Sequence, residues 1–177
     1  MELKKYSKDG SISFCFGAFP TYELLKNKNL DCEIYEHEAV FTMSELSSAK
    51  LKHPECEAKN LFVRDDKRKN YYLITVKGDK RVDLKEFRRT FGLKPLTFAH
   101  DDELFSILGV HAGSVSPFGL LNDENKSVIF YIDEAFFDEP KKIGVHPNDN
   151  TATVMLNADD LIAIIKEHGN EINVVKF

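Results

Sequence analysis

A single α+β domain built on a mixed sheet is the architecture this chain predicts, and three observations carry it. Short alternating or apolar runs and helix-periodic segments interleave, without the strict strand–helix–strand succession of a parallel α/β fold. No linker, internal repeat or low-complexity tract divides the 177 residues. Hydrophobic residues make up 42% and charged residues 30%, the balance of a globular chain closing around one core.

The elements follow in order. Met1–Gly17 begins polar and turns apolar at Ile12, Phe14 and Phe16; it reads as an N-terminal extension without an assigned structure. Pro20 suits the first turn of a helix carrying Leu24 and Leu25. Asp31–His37 alternates Cys32, Ile34 and Glu36 against Glu33, Tyr35 and His37, a strand pattern. Thr42-Met43-Ser44-Glu45 is a capping box, which predicts a helix through Leu46, Ala49 and Leu51 that ends before Pro54. Asn60–Arg64 and Tyr71–Val76 are β-rich runs across a polar turn, hence a hairpin. Asp83 caps a helix burying Leu84, Phe87 and Phe91, with Gly92 as its stop. Leu96–Ala99 is a short strand, and Asp101–Leu108 a helix ended by Gly109. Ser127–Asp133, Lys142–His146 and Thr151–Leu156 are strands, the last two joined by the turn formers Pro147-Asn148-Asp149-Asn150. Asn157 or Asp159 caps a helix with Leu161, Ile162, Ile164 and Ile165 inward and Gly169 after it; Ile172–Lys176 closes as a strand.

Composition excludes several classes. The formal net charge is −5, which argues against broad coating of nucleic acid but leaves room for a local basic patch. No apolar run approaches the ~18 residues of a membrane-spanning helix. Met1-Glu2-Leu3-Lys4-Lys5 is not followed by the apolar stretch of a secretory signal. Three cysteines at irregular spacing, Cys15, Cys32 and Cys56, argue against a disulfide framework and for a reducing, cytoplasmic setting. With fourteen Phe and no Trp, the core is expected to be Phe-rich.

Nucleotide-binding glycine motifs are missing from the sequence. His53 and Cys56 stand three apart with no second pair at ligand spacing, so no metal and no other cofactor is expected. Three segments depart from ordinary scaffold. Ala58-Lys59-Asn60-Leu61-Phe62-Val63 sets a lysine at the mouth of an apolar strand, which on its residues alone is a solvated lysine before an edge strand. Gly109–Leu120 is too long and too apolar for a simple turn; such a loop either presents backbone groups to a ligand or merely connects a helix to a strand. In Gly144–Thr153, the polar groups of Asn148, Asn150 and Thr151 could tie the turn to itself, or His146 could point into a pocket.

Taken together, Lys59-Asn60-Leu61-Phe62, the G-x-x-x-P run Gly113-Ser114-Val115-Ser116-Pro117, and Gly144-Val145-His146-Pro147-Asn148-Asp149-Asn150-Thr151-Ala152-Thr153 resemble the YbaK/ProX superfamily of aminoacyl-tRNA deacylases. The nearest likeness is to its freestanding ProX-type (PrdX) branch, which clears alanine mischarged on proline tRNA. The resemblance covers about Phe19 to the C-terminus, so residues 1–18 stand as an extension and 19–177 as the deacylase domain. It implies the superfamily's editing-domain fold, a mixed, barrel-like sheet flanked by helices.

It also implies roles. Lys59 occupies the place of the family's activity-linked lysine, and Gly113 belongs to the catalytic loop. Asn60, Ser114, Val115, Ser116, Pro117 and His146 would bind substrate, the loop through its backbone groups and His146 by shaping the aminoacyl pocket. An aminoacyl ester is labile, so positioning and charge stabilisation matter more than a strong nucleophile. Arg64, Lys67, Arg68 and Lys69 cluster on one hairpin and read equally as a tRNA-phosphate contact or a solvated turn. The implied partner is the acceptor end of proline tRNA, with prolyl-tRNA synthetase as a second partner that the resemblance admits and no membrane partner. Two alternatives stay open: deacylation of cysteinyl-tRNA for proline, and a non-catalytic aminoacyl-tRNA or synthetase-associated binding module.

Overall fold

Two sheets, not one continuous sheet, organise the molecule. The computed structural model describes residues 4–6, 18–39, 52–78 and 80–177. The expected helix from Thr42 through Leu51 and the apolar run from Ile12 to Phe16 lie outside them. The first sheet has the order β1–β2–β8–β7 and comprises β1 (Lys4–Tyr6), β2 (Cys32–Glu36), β7 (Lys142–Val145) and β8 (Ala152–Asn157). The second has the order β5–β3–β4–β6–β9 and comprises β3 (Ala58–Asp65), β4 (Tyr71–Lys77), β5 (Leu96–Phe98), β6 (Val128–Asp133) and β9 (Ile172–Val175). Among the described residues, four helices flank them: α1 (Phe19–Asn27), α2 (Leu84–Thr90), α3 (Asp101–Leu108) and α4 (Ala158–His168). The sheets are mixed: β3 and β4 form the expected antiparallel hairpin, whereas β4–β6 and β6–β9 are parallel.

Local signals set the element ends. Asp83 accepts from the N–H groups of Lys85 and Glu86, and Asn157 from that of Asp159. Each side chain satisfies donors that the first helical turn leaves orphaned. At the hairpin turn, the Asp65 carboxylate takes the Lys69 N–H at 2.8 Å and the Asn70 amide at 2.6 Å.

Alternation then divides the side chains. Phe62 and Leu73 of the second sheet meet Ile34, Ile143, Val154 and Leu156 of the first in the central core. That core is completed by Leu25 of α1, Leu108 of α3, Leu161 and Ile165 of α4, and Phe118 and Leu120 of a 3-10 turn, Pro117–Asn122. Each such side chain contributes roughly 1.5–3 kcal/mol on leaving water. Val63, Tyr72, Ile74 and Val76 face the other way, where Phe87 of α2 stacks on Phe177 with ring centroids 5.8 Å apart.

The sheets meet where β3 begins. Glu57, just ahead of it, makes a single parallel bridge to Gly144 of β7, and the Gly78 N–H donates to the Glu57 carbonyl at 2.8 Å. A Cβ at Gly144 would stand 2.9 Å from Met155 Cε and 3.3 Å from Thr153 Cγ2, so a larger residue here would have to displace the Met155 methyl and press on Thr153. The two sheets therefore touch at this bridge, and among the described residues they do not close into a barrel.

Candidate active site

Asn60 is the point from which the site is built. It lies opposite Thr75 in the β3–β4 ladder. The buried Thr75 hydroxyl donates to Asn60 Oδ1 at 2.7 Å, which orients the amide, and Asn60 Nδ2 donates to the Val115 carbonyl at 3.0 Å. The middle of the G-x-x-x-P loop is thus fastened to the sheet.

The loop is fixed elsewhere too. Asp101, at the start of α3, accepts the Ala112 N–H at 2.8 Å and contacts His111 Nδ1 at 2.8 Å. Asn122 donates to the Leu108 carbonyl at 2.7 Å, closing the base of the loop. Ser116 is buried, its hydroxyl accepting from the Phe118 N–H, and Pro117 starts the 3-10 turn. Gly113 has φ +92°, a conformation that L side chains rarely adopt. Among the described residues, nothing accepts from the backbone N–H groups of Gly113, Val115 or Ser116. A rigid loop with unengaged N–H donors is suited to an oxyanion or a phosphate.

His146 and Lys59 both lie close in sequence to the joint between the sheets. Two residues beyond the Glu57–Gly144 bridge come Lys59 on one chain segment and His146 on the other. His146 Nδ1 donates to the Ala152 carbonyl at 2.8 Å, and its ring lies 6.2 Å from that of His37. Burial lowers the proton affinity of both imidazoles, so they are neutral near pH 7. In that state His37 Nδ1 donates to the Glu38 carbonyl at 2.8 Å and its Nε2 accepts from the Thr153 hydroxyl at 3.1 Å. With Nδ1 committed, His146 presents Nε2 as an acceptor. The His146–Thr151 turn also reaches the loop: a side chain at Gly119 would stand 3.7 Å from Asn148 Oδ1.

Alternation sends Lys59, expected as the activity-linked lysine, and Asn60, expected to bind substrate, to opposite faces of β3. Asn60 lies across from Thr75 and Lys59 across from Val76. Asn60 holds the loop; Lys59 is half-buried, and its ammonium has no hydrogen bond or ion pair among the described residues. Glu57 is a group that the sequence did not single out. It is 4% exposed, its Oε1 has no hydrogen-bond partner among the described residues, and burial pushes its pKa up to about 7. Nothing in its sequence neighbourhood marks it, because its burial comes from the bridge to Gly144.

The basic hairpin is split. Lys67, Arg68 and Lys69 are exposed on the turn. Arg64, expected with them, is 6% exposed and turned inward, its Nε 2.9 Å from Glu103 Oε2. Glu103 also accepts from Tyr71 OH at 2.9 Å and from the His100 N–H at 2.8 Å. Burial opposes ionisation of Glu103, but these hydrogen bonds and the Arg64 charge outweigh it and pull its pKa down to about 2. Arg64 is therefore a structural ion-pair partner and not part of an exposed basic patch. His53 contacts Glu55 at 3.3 Å while Cys56 is fully buried, and among the described residues no cluster of His, Cys, Asp and Glu is placed to hold a metal.

The aminoacyl-tRNA editing domain family matches residues 37–164, a span that holds Lys59, Asn60, the loop and His146. The chain belongs to this family. It is 36% identical over 152 residues to the prolyl-tRNA editing protein ProX of Acetoanaerobium sticklandii, covering 86% of this chain and 92% of that one. It is 32% identical over 148 residues to prolyl-tRNA synthetase associated domain-containing protein 1 of Mus musculus, covering 82% and 87%. Among solved structures, a candidate trans-editing enzyme for prolyl tRNA synthetase superposes with TM-score 0.67 at 23% identity, over 93% of this chain and 99% of that one. That likeness concerns the fold. The chain is an aminoacyl-tRNA deacylase, a carboxylic ester hydrolase. Among the described residues, no helix is long and apolar enough to cross a membrane.

Proposed function

We propose that the chain acts in the cytoplasm on proline tRNA mischarged with alanine, hydrolysing the ester and so protecting proline codons. The observation that carries this reading is the loop Gly113–Pro117, locked by Asn60 and leaving three N–H groups unengaged among the described residues. These donors suit the terminal adenosine, the ester carbonyl and the charge that develops on it, which a preorganised site stabilises without reorganising. Gly113 and the loop backbone are the catalytic elements, and Ser114, Val115, Ser116 and Pro117 line the site. Lys59 supplies the mobile positive charge, for the terminal phosphate or the oxyanion. The neighbouring ribose hydroxyl of the substrate helps activate water. His146, held by Ala152, walls the aminoacyl pocket, which admits a methyl group and rejects a ring by size. Lys67, Arg68 and Lys69 follow the acceptor-stem phosphates.

Proline tRNA charged in turn with alanine, cysteine or proline tests the reading. Rapid release of alanine, with proline retained, is the expected result. Preference for cysteine would make the chain a cysteinyl-tRNA deacylase for proline tRNA, and no release from any of the three would leave a binding module. The name of the mouse relative supports prolyl-tRNA synthetase as a second partner, which a co-purification of the two proteins with and without tRNA tests.

A further inference from the structure

The 109–117 loop begins on a surface that hydrolysis itself does not use. Phe105 of α3 is 58% exposed. His111 lies almost flat against it, with ring centroids 5.1 Å apart and planes 19° from parallel. The imidazole is anchored by Asp101 at 2.8 Å, and the same carboxylate holds the next residue through the Ala112 N–H. The two rings are thus a fixed pair, and His111 stands only two residues ahead of Gly113. A second large apolar ring, Phe98, is 59% exposed at the end of β5, three residues before α3 begins.

Charge around the pair is arranged by sign. The exposed Lys67-Arg68-Lys69 turn leans over the same helix, with Arg68 Nε 3.9 Å from Glu103 Oε1. Asp101 and Asp102, both exposed, occupy the first turn of α3. A phosphate is drawn to the hairpin and repelled from the start of α3, so a strand crossing here would turn its bases, not its backbone, toward Phe105 and His111.

Building on the deacylase reading, we propose that the Phe105–His111 pair is a stacking platform for the unpaired nucleotides just before the terminal adenosine of the tRNA. The acceptor end is single-stranded there, and its bases must be ordered before the ester can enter the loop. Aromatic stacking does this without reading sequence, and one stacked base is worth about tenfold in binding.

Two measurements on the full chain test the platform. The first compares alanyl-tRNA with 3′-alanyl adenosine, which lacks the preceding nucleotides. Phe105→Ser and His111→Ala are each expected to lower the ratio of kcat/KM for the tRNA to that for the nucleoside about tenfold, mainly through KM. Phe105→Tyr, which keeps a stacking ring, is expected to retain the ratio. The second needs no hydrolysis. An uncharged acceptor-stem minihelix carrying 2-aminopurine next to the terminal adenosine is expected to be quenched by the wild-type chain and not by Phe105→Ser. Equal loss on both substrates would mean that the pair only shapes the loop, and it would overturn the platform. So would undiminished quenching in Phe105→Ser. Failure of the wild type to cleave alanyl-tRNA, with quenching intact, would instead count against alanine as the substrate and leave the platform standing.

Discussion

Neighbouring residues on β3 carry different work. Asn60 is a fastener, because its amide accepts from Thr75 and donates to Val115. Lys59 leaves the other face of the strand as a charge without a fixed partner among the described residues. Lys59→Ala is expected to lower kcat on alanyl-tRNA by a factor of about 10²–10³, the scale for losing one group that stabilises transition-state charge, with an unchanged melting temperature. Asn60→Ala is expected to lower both activity and melting temperature, since it frees the loop and leaves the Thr75 hydroxyl unsatisfied in the interior. Steady-state kinetics beside thermal melts separate the two; equal melting shifts would contradict this division. Glu57 offers a second test at this scale. Its folded pKa is raised from 4.5 to about 7, so the folded state holds a proton that the unfolded chain has released between those values. Its stability contribution is fully present below pH 4.5 and is lost as pH rises through 7. Glu57→Gln is expected to flatten that decline and stabilise the protein by about 2 kcal/mol at pH 8. Urea melts at pH 5 and pH 8 read it, and a mutant with the wild-type slope would contradict it.

At the scale of elements, the β3–β4 hairpin separates structure from recognition. Its inward residue Arg64 belongs to the ion pair with Glu103, whereas its turn displays Lys67, Arg68 and Lys69. Replacing those three with Gln is expected to weaken tRNA binding and to make the slope of log K against log salt shallower, by up to about 0.9 for each phosphate that is no longer neutralised. Hydrolysis of 3′-alanyl adenosine is expected to stay within twofold of wild type. An unchanged salt slope would make the turn an ordinary solvated surface. Two sequence patterns reach this scale intact. Asp83 was legible as a cap, and Asn157 as one of two candidates with Asp159, because each bonds a backbone group two or three residues away. The hairpin was legible because alternation and turn chemistry are local as well. The inward turn of Arg64 was not legible, since arginine is ordinarily exposed and Glu103 lies 39 positions along the chain.

For the molecule as a whole, Glu103 is a tie between layers. From α3 it binds Arg64 of β3, Tyr71 of β4 and the His100 N–H. Glu103→Ala leaves a buried guanidinium without its countercharge and is expected to cost about 3–5 kcal/mol, lowering the melting temperature by roughly 6–20 °C. Arg64→Met with Glu103→Leu is expected to restore most of that loss, because the desolvation penalty is removed with the charges. Calorimetry on the two variants decides it; a double mutant as unstable as the single would mean that the Tyr71 and His100 contacts, not the buried charge, dominate. With its pKa held near 2, Glu103 contributes stability present above pH 4.5 and lost as pH falls through 2, opposite in sign to Glu57.

The sequence by itself determined the α+β class, the position of most described elements and the segments that hold the family's motifs. All of these are written in short-range periodicity, caps and contiguous motifs. Tertiary structure decided what those motifs do to one another. It split the expected sheet into two and set Gly144 at the joint, packed closely against Met155 and Thr153. It fastened Val115 to Asn60 across 55 residues, His111 to Asp101 across ten, and Arg64 to Glu103 across 39. Pairings of this kind depend on which strands become neighbours, and burial of a polar group is visible only once its surroundings have assembled. A pattern of residue types names the groups available to a site, but the register of the sheets chooses which of them meet.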